Sequence, residues 1–225
     1  MPYLDPSDAT EQMLAPRLLI VSLGNPAPYT DTLHSAGHLV LSALQRQPSL
    51  KSDLPPFAAQ RYGKKSTQAS RSSNHKYTLL QSPAVMNVSG PWLVRAWKDV
   101  LAENQQDTGA GSNTALVIVH DDLEEDLGVV KIREWSRSHR GHNGVKSVNA
   151  SIRPADFKDA RMARISVGIG RPEGRDKTMV SDYVLRKMSR FEKSVLEEKA
   201  APRVLEALME LETRWAKELE TPTKA

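Results

Sequence analysis

Four short aliphatic runs limit what this chain can fold into more than any other feature. Leu18–Leu23, Tyr77–Leu80, Ala115–His120 and Ile165–Ile169 are rich in Val, Ile and Leu and are bounded by Gly, Pro, Asn or Asp. Such runs predict strands. Between them lie helical patterns: Leu39-Val40-Leu41 with Leu44, Leu93-Val94-Trp97 with Val100-Leu101, and Val145-Val148-Ile152. Apolar residues at three- and four-residue steps give each helix one buried stripe. Strands alternating with helices argue for an α/β fold, a single layered domain whose mixed sheet is mostly parallel and flanked by helices. Pro48–Pro56, Glu103–Asn113 and Arg171–Lys177 read as loops. The stretch from Ser189 to Glu220 reads as two charged helical segments, the second opened by Pro202 and together forming a C-terminal extension.

Residues 1–16 carry Asp5, Asp8 and Glu11 without an apolar core and read as a disordered tail, leaving 17–225 as the domain. The tail resembles neither a signal peptide nor an Arg-rich transit peptide, so cytosol and mitochondrial matrix both stay open. No apolar run approaches the roughly 18 residues of a membrane span. The chain has no Cys, which removes disulfides, thiolate metal sites and cysteine nucleophiles together. Net charge is only +4, yet Lys131–Arg164 holds nine Lys/Arg (131, 133, 137, 140, 146, 153, 158, 161, 164) against three acids (134, 156, 159). That local surplus of six suits a polyanion such as nucleic acid, or equally a solvated basic face.

Ligands of open α/β sheets bind beyond the carboxyl ends of the strands. The first strand here runs into Asn25, the second leads to Met86 and Asn87, and the third ends in His120, Asp121 and Asp122. The loop after the first strand also carries Tyr29, His34 and His38. His34 and His38 have the H-x3-H spacing of a zinc helix, but Ser35 stands where the Glu base belongs, and no metal is expected. Gly168-Ile169-Gly170 with Gly174 approaches a dinucleotide fingerprint, but Pro172 falls where a helix must open. His139-Arg140-Gly141-His142 reads as an anion-facing loop. No G-x-S-x-G or phosphate loop is present. What remains is a histidine and an acid on separate strand ends. His34 can act as a general base on water if Asp121 accepts its other N–H, giving hydrolysis of an activated acyl group. A helix-start histidine bonded only to backbone fits the same residues.

The ordered series LGNP (23–26), YTDTLHSAG (29–37), MNVSG (86–90), HDDL (120–123), GHNGVKS (141–147) and RISVGIGRP (164–172) resembles the bacterial-type peptidyl-tRNA hydrolase family. The resemblance covers about Leu18 to Leu185. It implies cleavage of the ester between a peptide's carboxyl group and the 3′ ribose of tRNA, without cofactor or metal, by a monomer whose partner is peptidyl-tRNA. By position it makes His34 the base, Asp121 its support and Asn25 the group that discriminates N-blocked substrates. It places Tyr29, Val85, Met86, Asn87 and Asn143 against the peptide and 3′ end, and Arg133 and Arg140 against phosphate. Departures are Val85 in place of an aromatic residue and Leu33-His34-Ser35 in place of Arg-His-Asn. The bulky run Trp135–Arg140 replaces a glycine-rich one. Ser166 stands where a second phosphate-clamping cation is usual, with Arg164 two residues earlier as the expected substitute. Non-catalytic members of the family serve in RNA splicing, so an RNA-binding relative is the alternative reading.

Overall fold

The computed structural model describes residues 16–220 except 75, 109–112, 158–159 and 175. Seven strands form one sheet: β1 (Arg17–Ser22), β2 (Ala58–Tyr62), β3 (Lys65–Arg71), β4 (Tyr77–Gln81), β5 (Thr114–Asp122), β6 (Val130–Glu134) and β7 (Met162–Gly168). Their spatial order is β2-β3-β4-β1-β5-β7-β6. The centre, β4-β1-β5-β7, is parallel. The edges pair antiparallel, β2 and β3 on one side and β6 on the other.

The helices are α1 (Ala36–Gln45), α2 (Ser89–Thr108), α3 (Asn143–Ser151), α4 (Lys177–Leu185), α5 (Arg190–Val195) and α6 (Ala201–Glu220). Successive strand residues point to opposite faces, so β1 divides its aliphatics between two cores. Leu18 and Ile20 join Val40 and Leu44 of α1 and Val204, Leu208 and Leu211 of α6. Leu19 and Val21 join Trp92, Trp97 and Val100 of α2 and Val145 and Val148 of α3. The result is a three-layer sandwich with helices on both faces of a mostly parallel sheet.

Each of the four strands expected from the sequence is present, as are the three helices. The edge strands β2 and β6, the β3 strand between β2 and β4, and helix α4 are additions. Three expected loops are shorter than anticipated. Pro48–Lys51 forms a helical turn, α2 runs on to Thr108, and α4 opens at Lys177. Residues 109–112 of the expected central loop, 1–15 of the expected tail and 221–225 lie outside the described residues. The C-terminal extension is helical as expected. A π-turn, Leu196–Ala200, joins its two segments, and Pro202 is the second residue of α6.

Among the described residues, no helix is long and apolar enough to cross a membrane. The parallel strands all point their carboxyl ends the same way, which gathers Ser22, Gln81, Asp122 and Gly168 at one rim.

Candidate active site

A cleft of about 950 Å³ opens at that rim. β5 projects Asp121 into its floor, where the carboxylate is 2% exposed. The loop after β1 ends in a 3-10 turn, Leu33–Ser35, that carries His34 over the same point. His34 Nδ1 lies 3.1 and 3.0 Å from the two Asp121 oxygens. His142 approaches from the other side, its Nε2 2.9 Å from Asp121 Oδ1. The two imidazoles are 4.9 Å apart, centre to centre.

The proton positions follow from the partners. His142 is the N-cap of α3, its Nδ1 accepting from the Gly144 and Val145 amides at 3.1 and 3.2 Å. An Nδ1 that accepts two N–H groups carries no hydrogen, so Nε2–H donates to Asp121. His34 Nδ1 also faces the carboxylate and donates to it. Its Nε2 is left with a lone pair and no protein partner among the described residues. Burial disfavours imidazolium at His34, but the Asp121 charge and hydrogen bond outweigh it and raise its pKa above 6.5. Burial likewise works against the Asp121 carboxylate, yet the two histidines reverse that and hold it well below the usual range.

The same three side chains bring their nitrogen and oxygen atoms within 4.8 Å, the one group among the described residues spaced for a metal ion. Their chemistry argues for hydrogen bonding instead. Both N–H groups already point at the carboxylate, and the free lone pair of His142 is taken by two amides. His38 is no ligand. It is buried under Gly24, its Nδ1 is 2.7 Å from Ser22 Oγ, and burial lowers it to about 4.

Of the residues singled out in the sequence, Asn25, His34, Val85, Met86, Asn87, Asp121, Arg133, Arg140 and Asn143 all line the cleft. Tyr29 does not: it is 46% exposed and stands outside the lining, while its carbonyl accepts the Thr32 and Ser35 hydroxyls. Asn25 Oδ1 accepts the Met86 amide at 2.9 Å, and its NH₂ has no protein partner among the described residues. Ser35, where the family has Asn, makes polar contacts of its own. Fully buried, it accepts from Asn25 N–H and donates to Tyr29 carbonyl, bracing the loop from within.

Two motifs meet face to face. A Cβ on Gly90 would come 2.1 Å from Ser147 carbonyl, and one on Gly144 would come 2.3 Å from Met86 sulfur. MNVSG and GHNGVKS therefore form one joint between α2 and α3, closed further by Gly90 N–H on Ser147 Oγ.

The basic segment differs from a free patch. Arg133 donates to Ser166 Oγ, Asp122 and Glu125; Lys131 pairs with Glu125; Arg140 lies 3.9 and 3.8 Å from Asp122 and Glu125. Arg164 is not the second phosphate cation. It is 2% exposed and holds the Glu134 and Arg137 carbonyls, so it supports the 134–137 turn from beneath. His142 is the residue that sequence reasoning missed. Its position just before a helical stripe is an N-cap signal, but its approach to Asp121 is tertiary.

A desolvated carboxylate that fixes one imidazole and leaves its other nitrogen open to the cleft is an arrangement suited to the class of hydrolases that work through a histidine. No serine hydroxyl is bonded to that imidazole among the described residues. The comparisons point the same way. The peptidyl-tRNA hydrolase family profile matches residues 19–223. A probable peptidyl-tRNA hydrolase of Schizosaccharomyces pombe is 33% identical over 80% of this chain and 75% of its own. Peptidyl-tRNA hydrolase 1 of Corynebacterium jeikeium is 35% identical over 70% of this chain and 72% of its own. The crystal structure of peptidyl-tRNA hydrolase from Acinetobacter baumannii superposes with a TM-score of 0.63 at 25% identity, covering 90% of this chain and 94% of that one. This chain belongs to the peptidyl-tRNA hydrolase family.

Proposed function

We propose that this protein hydrolyses the ester joining a peptide, or an N-blocked aminoacyl group, to the 3′ ribose of tRNA, releasing both for reuse. The observation that carries the reading is the free Nε2 of His34 beside a carboxylate that fixes Nδ1–H. Water bonded to Nε2 loses a proton to His34 as its oxygen attacks the ester carbon. Asp121 stabilises the imidazolium that forms. The carbonyl oxygen takes up negative charge, which the free NH₂ of Asn25 and the amides of Asn87 and Asn143 are suited to meet. When the C–O bond to the ribose breaks, His34 returns its proton to the departing 3′ oxygen.

In this reading Asn25, held by Met86 N–H, discriminates blocked from free amino groups. Val85 and Met86 make the apolar side of the peptide site. Arg133 and Arg140 take phosphate, with Tyr29 outside the cleft toward the tRNA. One chain supplies every residue, so a monomer suffices. The substrate confines the enzyme to a compartment that translates, cytosol or mitochondrial matrix.

The test is tRNA release from N-acetylated and from free aminoacyl-tRNA, with wild type and His34→Ala, in the presence of chelator. Rapid cleavage of the blocked substrate alone, lost in the variant, is expected. Tight binding without cleavage by wild type would sink the enzymatic reading in favour of an RNA-binding role.

A further inference from the structure

His34 sits on a loop, and loops hold catalytic groups less firmly than strands or helices do. The inner side of this loop is braced by Ser35. Its outer side is held by a distant part of the chain, the link between α4 and α5. Met188 N–H donates to Asp31 carbonyl at 2.9 Å and Leu33 N–H to Arg186 carbonyl at 3.3 Å. These bonds flank an antiparallel bridge between Thr32 and Lys187. Lys193 Nζ adds an ion pair to Asp31 at 2.6 Å. Three consecutive residues before the base are therefore tied to residues 186–188.

The link is itself anchored. Ser189 and Glu192 form a reciprocal capping box that opens α5. Glu192 also takes both guanidinium nitrogens of Arg186, at 3.0 and 2.5 Å. It is only 9% exposed, and Arg186 first among its partners, with the Ser189 N–H, lowers its pKa to about 2. Met188 is buried in the core, and the following π-turn buries Leu196 and Ala200 beside α1. A mechanical path thus runs from the core through Glu192 and residues 186–188 to Asp31–Leu33.

We propose that the Arg186–Ser189 link, locked by Glu192, is a positioning element for His34, fixing the backbone before it and hence the bearing of its imidazole on Asp121. The proposal deepens the hydrolase reading and rests on it for its kinetic test. A bidentate clamp on a loop neighbour matters because displacement of a catalytic group by about 1 Å can cost on the order of a hundredfold in rate.

The experiment compares wild type, Glu192→Ala, the single charge reversals Asp31→Lys and Lys193→Asp, and their combination. It measures kcat and KM on N-acetyl-aminoacyl-tRNA, and the titration of the His34 imidazole by NMR without substrate. Glu192→Ala is expected to lower kcat by about tenfold with KM within about twofold, and to move the His34 midpoint downward as Asp121 loses its grip. Each single reversal should lower kcat, and the combination should recover it. The reversals involve partly exposed side chains, so they decide the matter even if Glu192→Ala fails to fold. A folded Glu192→Ala that melts earlier but keeps kcat and the His34 midpoint overturns the proposal, as does failure of the reversed pair to recover. Absence of turnover in wild type would instead count against the hydrolase reading, and the imidazole titration would then decide the positioning role alone.

Discussion

The two walls of the cleft are held in opposite ways. On the floor, Asp121 is nearly dry and receives two imidazole N–H groups, that of His142 fixed by the backbone amides on its other nitrogen and that of His34 by the carboxylate itself. Elsewhere in the lining, Arg133 and Arg140 are 20% and 49% exposed and lean on Asp122 and Glu125. The first arrangement is preorganised, because nothing in it needs to move before a proton is transferred. The second is provisional, because a phosphate must compete with carboxylates already in place. The contrast suggests that chemistry and binding draw on separate residues, so that damage to one should leave the other measurable.

The largest effect that could break this division is at Asp121. Asp121→Asn keeps the shape but lets an amide donate where only acceptance is wanted, so kcat should fall by roughly 10³–10⁴ with little change in tRNA affinity. The pH profile sharpens the point. A base must be unprotonated, so kcat/KM of wild type should decline with acid along a limb whose midpoint lies above 6.5, given the raised His34. In Asp121→Asn, burial is left unopposed and the limb should move to lower pH. Equal loss of rate and affinity would contradict the division.

Next in size is acid stability beneath the floor. His38 is held at about 4 by burial, and His120 at about 3 by burial and its neighbour His142. A histidine whose folded value is depressed contributes stability that is complete above 6.5 and fades as pH falls toward the folded value. The melting temperature should therefore drop by roughly 10 °C between pH 6.5 and 4.5. His34 acts with the opposite sign: its contribution is complete below 6.5 and is lost as pH rises through the raised value. A melting temperature that held steady over the acid range would mean the two buried rings are not neutral.

A smaller change, His142→Asn, can still cap α3 while removing the second N–H from Asp121. It should cost about tenfold in kcat with the fold intact, as hydrogen bonds to charged groups contribute about 1.5–3 kcal/mol. The smallest expected effect tests the provisional wall directly. Glu125→Gln frees Arg133 from its shortest partner and should tighten tRNA binding a few-fold, most at low salt. Arg133→Ala should weaken it and reduce the salt slope by about one. Neither should alter kcat. If Glu125→Gln weakened binding, the acids would be supports for the wall rather than competitors within it.

The architecture was legible where burial wrote it into the residues. β1, β4, β5 and β7 are largely hidden on both faces, so they read as strand-length runs rich in Val, Ile and Leu, continuous in β1 and β5 and interrupted in β4 and β7. β2 (AAQRY) and β6 (VKIRE) are edge strands with much of their surface in water; β2 carries no apolar alternation, and that of β6 is only four residues long, Val130-Lys131-Ile132-Arg133. The polar stretch after Leu101 suggested a loop, yet α2 continues through it because one buried face suffices and Asn104 finds Thr114. The His34–Asp121 pairing could be posed from strand ends alone. His142 could not, since its capping bonds are local while its bond to Asp121 depends on where the 137–142 turn comes to rest. The surroundings of the basic segment were hidden for a related reason: counting charge along the chain ignores the acids that β5 and the residues after it bring alongside.

The joint between the two glycine motifs has a consequence for what the cleft can accept. With no room for a methyl group between Gly90 and the Ser147 carbonyl, residues 85–90 and the start of α3 are packed backbone to backbone, and a larger residue at Gly90 would push the two apart. Val180, Val184 and Leu185 of α4 also line the cleft, Val184 as part of the core and Leu185 with more of its surface exposed. Enlarging or trimming the exposed Leu185 is thus expected to change which occupants the cleft accepts, read as relative turnover of substrates that differ in bulk.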